Sequence, residues 1–256
     1  MKLVIGWIYP KLMNVYGDRG NIICLTKRCE WRGIDVEIKY LDAPLSEKEL
    51  KECNLLMMGG AQDVQQKIVS QDLKNKKKFL SEKIENGTPG IYVCGAYQFL
   101  GNFYKEADGT IIDGLGIFDL YTENPGKERL IGNLICQWSI VPSATLRTSN
   151  GQLSTLVGFE NHGGRTYLGK DVKPFAKVIK GFGNNGQDQT EGAIYKNSVG
   201  TYMHGPILPK NPKLADWLIE QAINKKYKTE VQLKPLDDDL ENKARAVIAK
   251  GLGVEI

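Results

Sequence analysis

The chain reads as an α/β protein with a doubly wound, mostly parallel sheet and antiparallel edge strands. Three observations predict this. Short, wholly apolar runs alternate with helix-patterned stretches through residues 3–100. Two of those runs end in small-residue turns, at Gly59-Gly60 and at Cys94-Gly95. Beyond residue 111 the texture changes to short strand-like runs split by Gly, Asn and Asp. An apolar run without alternation suits a strand buried on both faces, and strand–helix alternation marks parallel crossover units.

Residues 3–8 form the first strand. Residues 21–32 carry apolar side chains at helical spacing and stop at Gly33, a helix end. Residues 36–41 alternate as a second strand. Ser46, with Glu49 three positions on, predicts a capped short helix. A buried third strand covers 55–58, a long polar-rich helix 62–85, and a fourth strand 90–93. Strands are then expected over 116–121, 130–140, 155–159, 175–179, 192–195 and 199–203, with a turn or mobile loop at 181–186. Asn211-Pro212 supplies N-cap and first-turn chemistry for a helix over 214–223. A final helix is expected over 236–250. Residues 1–225 read as one domain and 226–256 as a helical extension of open role.

Composition excludes several classes of function. The 256 residues are 41% hydrophobic and 25% charged, which is globular rather than disordered. The net charge is only +4, and the densest basic run, Lys74 to Lys78, reads as a solvated helix face; no nucleic-acid partner is expected. The N-terminus lacks a signal-peptide core, and no run approaches the roughly 18 apolar residues that span a bilayer. Five cysteines at irregular spacing indicate free thiols in a reducing cytoplasm. No CxxC or HExxH occurs, so no metal site is expected. There are two histidines, His162 and His204, and imidazole chemistry must use one of them.

The strand over 90–93 runs into Cys94-Gly95-Ala96 and then an apolar helical segment. A strand-to-helix elbow of this kind holds a nucleophile above the sheet, and small neighbours let the turn form. Helix-start amides lower a thiol's pKa and stabilise an oxyanion. The plainer alternative is that Cys94 is a small buried hydrophobe. Gly59-Gly60 ends a neighbouring strand, so the amides of Gly60 and Gly95 are candidate oxyanion donors, or Gly59-Gly60 is an ordinary turn. His204 also ends a strand, where a general base for Cys94 should sit. His162 lies in a polar, glycine-rich segment after a strand, read as a loop near the site or an interface. No GxxxxGK[ST] occurs, so no ATP site of that type is present.

These residues resemble class I (triad-type) glutamine amidotransferases, a flavodoxin-like architecture, and within them the cobyric-acid-synthase-like subgroup. Five segments resemble more narrowly the glutaminase-subunit family of lipid II isoglutaminyl synthases: Tyr16-Gly-Asp-Arg-Gly-Asn21, Gly59-Gly-Ala-Gln-Asp63, Cys94-Gly-Ala-Tyr-Gln98, Glu160-Asn-His-Gly-Gly-Arg165 and Thr201-Tyr-Met-His204-Gly-Pro-Ile-Leu-Pro209. The resemblance covers residues 1 to about 225. It implies that Cys94 attacks the glutamine amide, His204 serves as acid and base, Gly60 and Gly95 hold the oxyanion, and Gln98 helps seat the substrate. It implies that Arg129 binds the glutamine α-carboxylate, a bidentate task suited to guanidinium. Tyr16, Asp18, Arg19, Asn21, Glu160, Asn161, His162 and Arg165 fall in segments expected at the glutamine site or the partner surface.

Typical members carry a glutamate two residues after the histidine. Here that position is Pro206. Another acid of this chain orients His204, or a partner supplies one, or His204 works in a dyad; the resemblance favours a partner's aspartate. The implied partner is a Mur-ligase-like synthetase subunit, holding ATP and magnesium, that amidates the D-glutamate of lipid II to D-isoglutamine. This chain itself is expected to need no cofactor. Alternatives are another acceptor such as a cobyrinic-acid-type carboxylate, a non-catalytic scaffold, and a cysteine peptidase, although peptidases of this fold often place the histidine soon after the elbow.

Overall fold

The computed structural model describes residues 1–61, 63–139 and 154–256. Five parallel strands form the central sheet: β1 (Lys2–Ile8), β2 (Asp35–Leu41), β3 (Leu55–Met58), β4 (Gly90–Val93) and β14 (Ser198–Thr201). Their spatial order is β2-β1-β3-β4-β14, and β13 (Ala193–Tyr195) adds an antiparallel edge beside β14. The order reverses at β1, as in a doubly wound sheet, and the carboxyl ends of the strands line one rim.

Alternation along β1 explains the two layers. Leu3, Ile5 and Trp7 pack with Ile22 and Leu25 of α1 (Arg19–Glu30) and with Trp217 and Leu218 of α6 (Pro212–Tyr227). Val4 and Ile8 face the other way, toward Val69, Leu73, Leu80 and Ile84 of α3 (Asp63–Glu85). Each such side chain, fully buried, contributes about 1.5–3 kcal/mol. The short helix α2 (Glu47–Glu52) starts as its sequence predicts, with Ser46 Oγ accepting from the Glu49 amide at 3.4 Å. Residue 140, the expected end of one strand, and Gln62, the expected start of α3, lie outside the described residues.

Of the later strands, β14 lies in the parallel sheet and β13 supplies the expected antiparallel edge. The others build two separate four-stranded sheets. One contains β5 (Phe103–Lys105), β6 (Ile111–Asp113), β7 (Leu120–Glu123) and β10 (Arg165–Leu168); the other contains β8 (Leu130–Trp138), β9 (Thr155–His162), β11 (Ala176–Lys180) and β12 (Thr190–Glu191). The tight β13–β14 turn, with Lys196 at φ 53°, makes β13 the edge strand, Lys173 bridges Ile194 on its outer side, and the remaining strands pair with one another. β8 and β9 do so over eight residue pairs, from Leu130 opposite His162 to Gln137 opposite Thr155. A single bridge, Phe159 to His204, joins this sheet to the tip of β14.

Asn211 holds the position before α6, but its side chain does not cap that helix. It binds both backbone groups of Val157 instead, at 2.9 and 2.8 Å. The α6 helix runs through Tyr227, past the boundary expected at 225. The C-terminal segment is strapped to α1. Arg28 is paired with Asp216 at 2.6 and 2.7 Å and with Asp238 at 2.6 Å. Arg32 donates to the Lys234 carbonyl at 2.7 Å. The last helix, α7 (Asp239–Gly251), places Ala249 against Ile135 and Val157. Among the described residues, no helix is long and apolar enough to cross a membrane.

Candidate active site

Three segments meet at the carboxyl rim of the sheet. The first is the elbow between β4 and α4 (Gly95–Leu100). Cys94 has φ 53° and ψ −106°, a conformation that side-chain-bearing residues rarely adopt. It is held there from both sides: its amide donates to Thr201 O at 2.8 Å, and its carbonyl accepts from the Gln98 amide at 3.0 Å. The Gly95 amide, at the start of α4, has no acceptor among the described residues. Cys94 is half-buried, whereas Cys29 and Cys53 are buried and their thiols are pushed up to about 12 by desolvation. That leaves them inert as nucleophiles at neutral pH.

The second segment is the end of β14. Regular pairing stops at Thr201, and the chain continues to His204, which is fully buried. A methyl group built on Gly60 would lie 2.9 Å from His204 Cε1 and 3.3 Å from Cys94 Cβ, so both side chains border one small space. Burial alone would lower the pKa of His204. The Cys94 and Asp18 side chains outweigh it and raise His204 to about 10.

The third segment precedes α1. Tyr16 and Gly17 both have positive φ, at 54° and 77°, and this double left-handed step turns Asp18 back toward the sheet. The Asp18 carboxylate is fully buried. Its Oδ2 accepts from the Gly60 amide at 2.8 Å, and its Oδ1 lies 3.5 Å from His204 Nδ1. Two expectations change here. The Gly60 amide is not free for an oxyanion, because Asp18 occupies it. And an acid of this chain does face His204, which the local sequence around Pro206 did not reveal. Pro206 instead packs on α1, where a Cβ on Gly20 would meet it at 2.4 Å.

Around this centre runs a polar band. Tyr16 sits edge-on to His204 with ring centroids 4.9 Å apart. Its hydroxyl accepts from Asn161 Nδ2 at 2.8 Å. Asn161 in turn fixes Arg129, accepting from its Nε and Nη2 at 2.7 Å each. The guanidinium's outer edge has no partner among the described residues, and the side chain is exposed. Gln98 donates to Tyr202 Oη at 3.1 Å, and that hydroxyl continues through Thr166 to Thr122. The Gly163-Gly164 turn lies between Arg129 and Gln98: a Cβ on each would come within 3.5 Å of Arg129 Nη1 and 2.8 Å of Gln98 Nε2 respectively.

Other residues of the expected segments serve structure. His162 is not in a loop but ends β9, buried, with its ring stacked on Tyr202 at 3.6 Å. Burial lowers its pKa. Glu160 is fully buried and accepts from the Phe182 and Gly183 amides at 2.7 and 2.8 Å, pinning β9 to the following turn. Asn21 accepts from the Leu208 amide at 2.9 Å and locks α1 to α5 (Ile207–Lys210). Arg165 ties the glycine turn to the Glu128 carbonyl at 2.7 Å, and the Arg19 side chain is exposed. Sequence reading missed Glu191. It is fully buried, pushed up to about 7 by desolvation, and supports the β14 tip by accepting from Thr201 Oγ1 at 2.5 Å and the Tyr202 amide at 2.9 Å. No motif flagged it.

Cysteine elbows above parallel sheets serve several hydrolase classes, and the source of the histidine tells them apart. Here it comes from the tip of the last parallel strand, a layout that defines the class I glutamine amidotransferases. The chain belongs to the CobB/CobQ-like glutamine amidotransferase domain family, whose model matches residues 4–212. It is 40% identical, over 92% of its length and 90% of the relative's, to the lipid II isoglutaminyl synthase (glutamine-hydrolyzing) subunit GatD of Staphylococcus aureus strain N315. The Streptococcus pneumoniae subunit of the same name is 38% identical over 93% of this chain and 87% of its own. A probable cobyric acid synthase of Methanothermobacter thermautotrophicus is 30% identical over 63% of this chain but only 34% of its own length. Among solved structures, the glutaminase domain of Trypanosoma brucei CTPS with bound acivicin superposes with TM-score 0.56 at 11% identity, covering 91% of this chain and 96% of that one; this likeness is one of fold.

Proposed function

We propose that this chain hydrolyses L-glutamine and passes the ammonia to a synthetase subunit that amidates lipid II. The observation that carries the reading is Cys94, held in a strained elbow against the buried His204. Cys94 Sγ attacks the side-chain amide carbon as its proton moves to His204. The resulting oxyanion is held by the Gly95 amide, with Gly60 able to join only once its amide leaves Asp18. His204 returns the proton to the leaving nitrogen, ammonia departs and a thioester remains. Water, deprotonated by His204, then attacks the thioester; the tetrahedral species collapses to glutamate and the thiol is restored. Gln98 lines the end of the site one helical turn beyond Cys94. Arg129, its plane fixed by Asn161, offers its outer edge to the substrate α-carboxylate.

The acceptor is inferred from the two GatD relatives, which match this chain along nearly all of their length. The cobyric acid synthases match only about two-thirds of it or less. Ammonia is useful as a nucleophile only if kept from water and protonation, which requires a docked second site. The partner's Mur-ligase-like character, its ATP and magnesium, and a cytoplasmic setting belong to the same proposal. The five cysteines are free, in keeping with a reducing compartment.

The test is ammonia release from L-glutamine by the full chain. Release should be abolished by Cys94→Ala, and a glutamine-like electrophile, 6-diazo-5-oxo-L-norleucine, should modify Cys94. Unlabelled Cys94, with no ammonia released in the presence or absence of the synthetase, would overturn the reading.

A further inference from the structure

The position that usually orients the histidine holds proline here, yet a carboxylate of this chain reaches the same imidazole from an unrelated segment. We propose that Asp18 is the positioning residue for His204, holding Nδ1 protonated so that Nε2 is left to exchange the proton of Cys94.

Four observations support this. Asp18 occupies the N-cap position of α1, where an aspartate ordinarily binds the first-turn amides, but its side chain makes no cap bond. The carboxylate is turned instead into the sheet rim, fully buried. Its two oxygens have separate partners: Oδ2 takes the Gly60 amide at 2.8 Å, while Oδ1 makes no other bond and stands 3.5 Å from His204 Nδ1. Neither imidazole nitrogen has a hydrogen bond to any other described group. Closing the gap to an ordinary hydrogen bond takes roughly half an ångström, and such contacts commonly tighten when substrate binds.

The surroundings leave few other influences on His204. Cys94 faces it from the elbow, Asp18 and the Tyr16 ring from the segment before α1, and Lys210 binds the carbonyl of Gly205, the residue after His204. An anion on Nδ1 holds the imidazolium that forms when the thiol gives up its proton. The Gly60 bond adds a second effect of the same carboxylate: it fixes the Gly59-Gly60 turn against the base. This inference rests on the glutaminase reading for its purpose, but not for its test.

The decisive variant is Asp18→Asn in the full chain. Asparagine keeps the shape and can still accept the Gly60 amide through its oxygen. Its NH2 then faces Nδ1, which must become an acceptor, and the ring proton moves to Nε2, the wrong nitrogen. The rate of Cys94 alkylation by iodoacetamide is followed against pH by mass spectrometry of the Cys94 peptide. Its lower midpoint should rise by about one pH unit or more in the variant, with Asp18→Glu recovering part of the shift. A wild-type profile in a folded Asp18→Asn protein overturns the proposal. A second measurement needs no variant at position 18. The chain has two histidines, so 15N spectra of the wild type, assigned with His204→Ala, report the His204 tautomer directly. Protonated Nδ1 at pH 7 is expected, and a neutral ring carrying its proton on Nε2 overturns the assignment. Neither readout involves glutamine, so a chain that fails to release ammonia sinks the glutaminase reading while leaving Asp18 to be judged alone.

Discussion

His204 and His162 are both buried, one just beyond β14 and the other at the end of β9, and both stand beside a carboxylate, at 3.5 and 3.6 Å. Their chemistry is nevertheless opposite: His204 is raised to about 10 and His162 is lowered. The carboxylates explain much of this. The Glu160 oxygen nearest His162 is already bound to the Gly183 amide, and its other oxygen to Phe182. The Asp18 oxygen nearest His204 has no other bond. The rings differ too. His162 Nδ1 is 2.7 Å from Gly164 O and its face is covered by Tyr202, whereas His204 opens toward a thiol. Proximity to a carboxylate does not make a histidine a base. What counts is whether the near oxygen is unspent and whether a reacting group lies on the ring's other side.

Removing each imidazole should separate the two most sharply. His204→Ala is expected to cut glutamine hydrolysis by about 10^3-fold, the usual scale for losing a general acid and base. Its binding of glutamine, read by calorimetry on a Cys94→Ala background, should change little. A His204→Ala protein with a tenth or more of wild-type turnover would erase the distinction.

The supports of the two strands differ in pH dependence. Glu191 holds the β14 tip and is raised from 4.5 to about 7 by burial. The folded state therefore binds a proton that the unfolded state has lost between those values. Stability from this group is complete below pH 4.5 and declines as pH rises to about 7, by about 3 kcal/mol at most. His162, with a lowered pKa, works in the other direction: it destabilises the fold as pH falls below 6.5. Urea melts between pH 4.5 and 7.5 should show Glu191→Gln losing the alkaline decline. An unchanged pH slope would show that Glu191 does not titrate in that range.

His162→Ala should cost about 2 kcal/mol through the lost stack on Tyr202 and the cavity left behind. The loss should appear in the denaturation midpoint, with kcat reduced no more than severalfold. A collapse of turnover at full stability would instead move His162 into the reacting centre.

Much of the central sheet was legible because its strands are buried on both faces and read as unbroken apolar runs: 3–8, 55–58 and 90–93. Cys94 was legible because an elbow needs small residues in consecutive positions. The rest depends on contacts that no local pattern carries. Asp18 meets Gly60 across 42 positions and His204 across most of the chain, so its segment suggested a site loop but not a role. Gly163-Gly164 reads locally as the start of a loop that would include His162, while pairing with β8 extends β9 to His162 itself. β5, β6, β7, β10 and β12 carry only two to four residues each, too few to show a period. Which sheet each strand joins is a tertiary outcome.

The smallest effect tests how His204 communicates with the substrate end of the site. Tyr16 lies edge-on to His204 and accepts a hydrogen bond from Asn161, which in turn holds Arg129. His162 has no comparable route outward; its neighbours are buried, and its ring nitrogen ends on a backbone carbonyl. Tyr16→Phe keeps the ring against His204 and removes only the hydroxyl that Asn161 binds. The bond is partly exposed, so its loss should cost about 1 kcal/mol or less. If Asn161 then releases the Arg129 plane, the cost falls on substrate binding: KM for glutamine rises about threefold to fivefold while kcat stays near wild type. Asn161→Ala should give the same split, larger because the Oδ1 bond to Arg129 Nε is lost together with the bond to Tyr16, leaving only the backbone carbonyl on Nη2. A fall in kcat at constant KM would mean instead that the Tyr16 hydroxyl acts on His204, and the band from the base to Arg129 would not be a substrate-binding element.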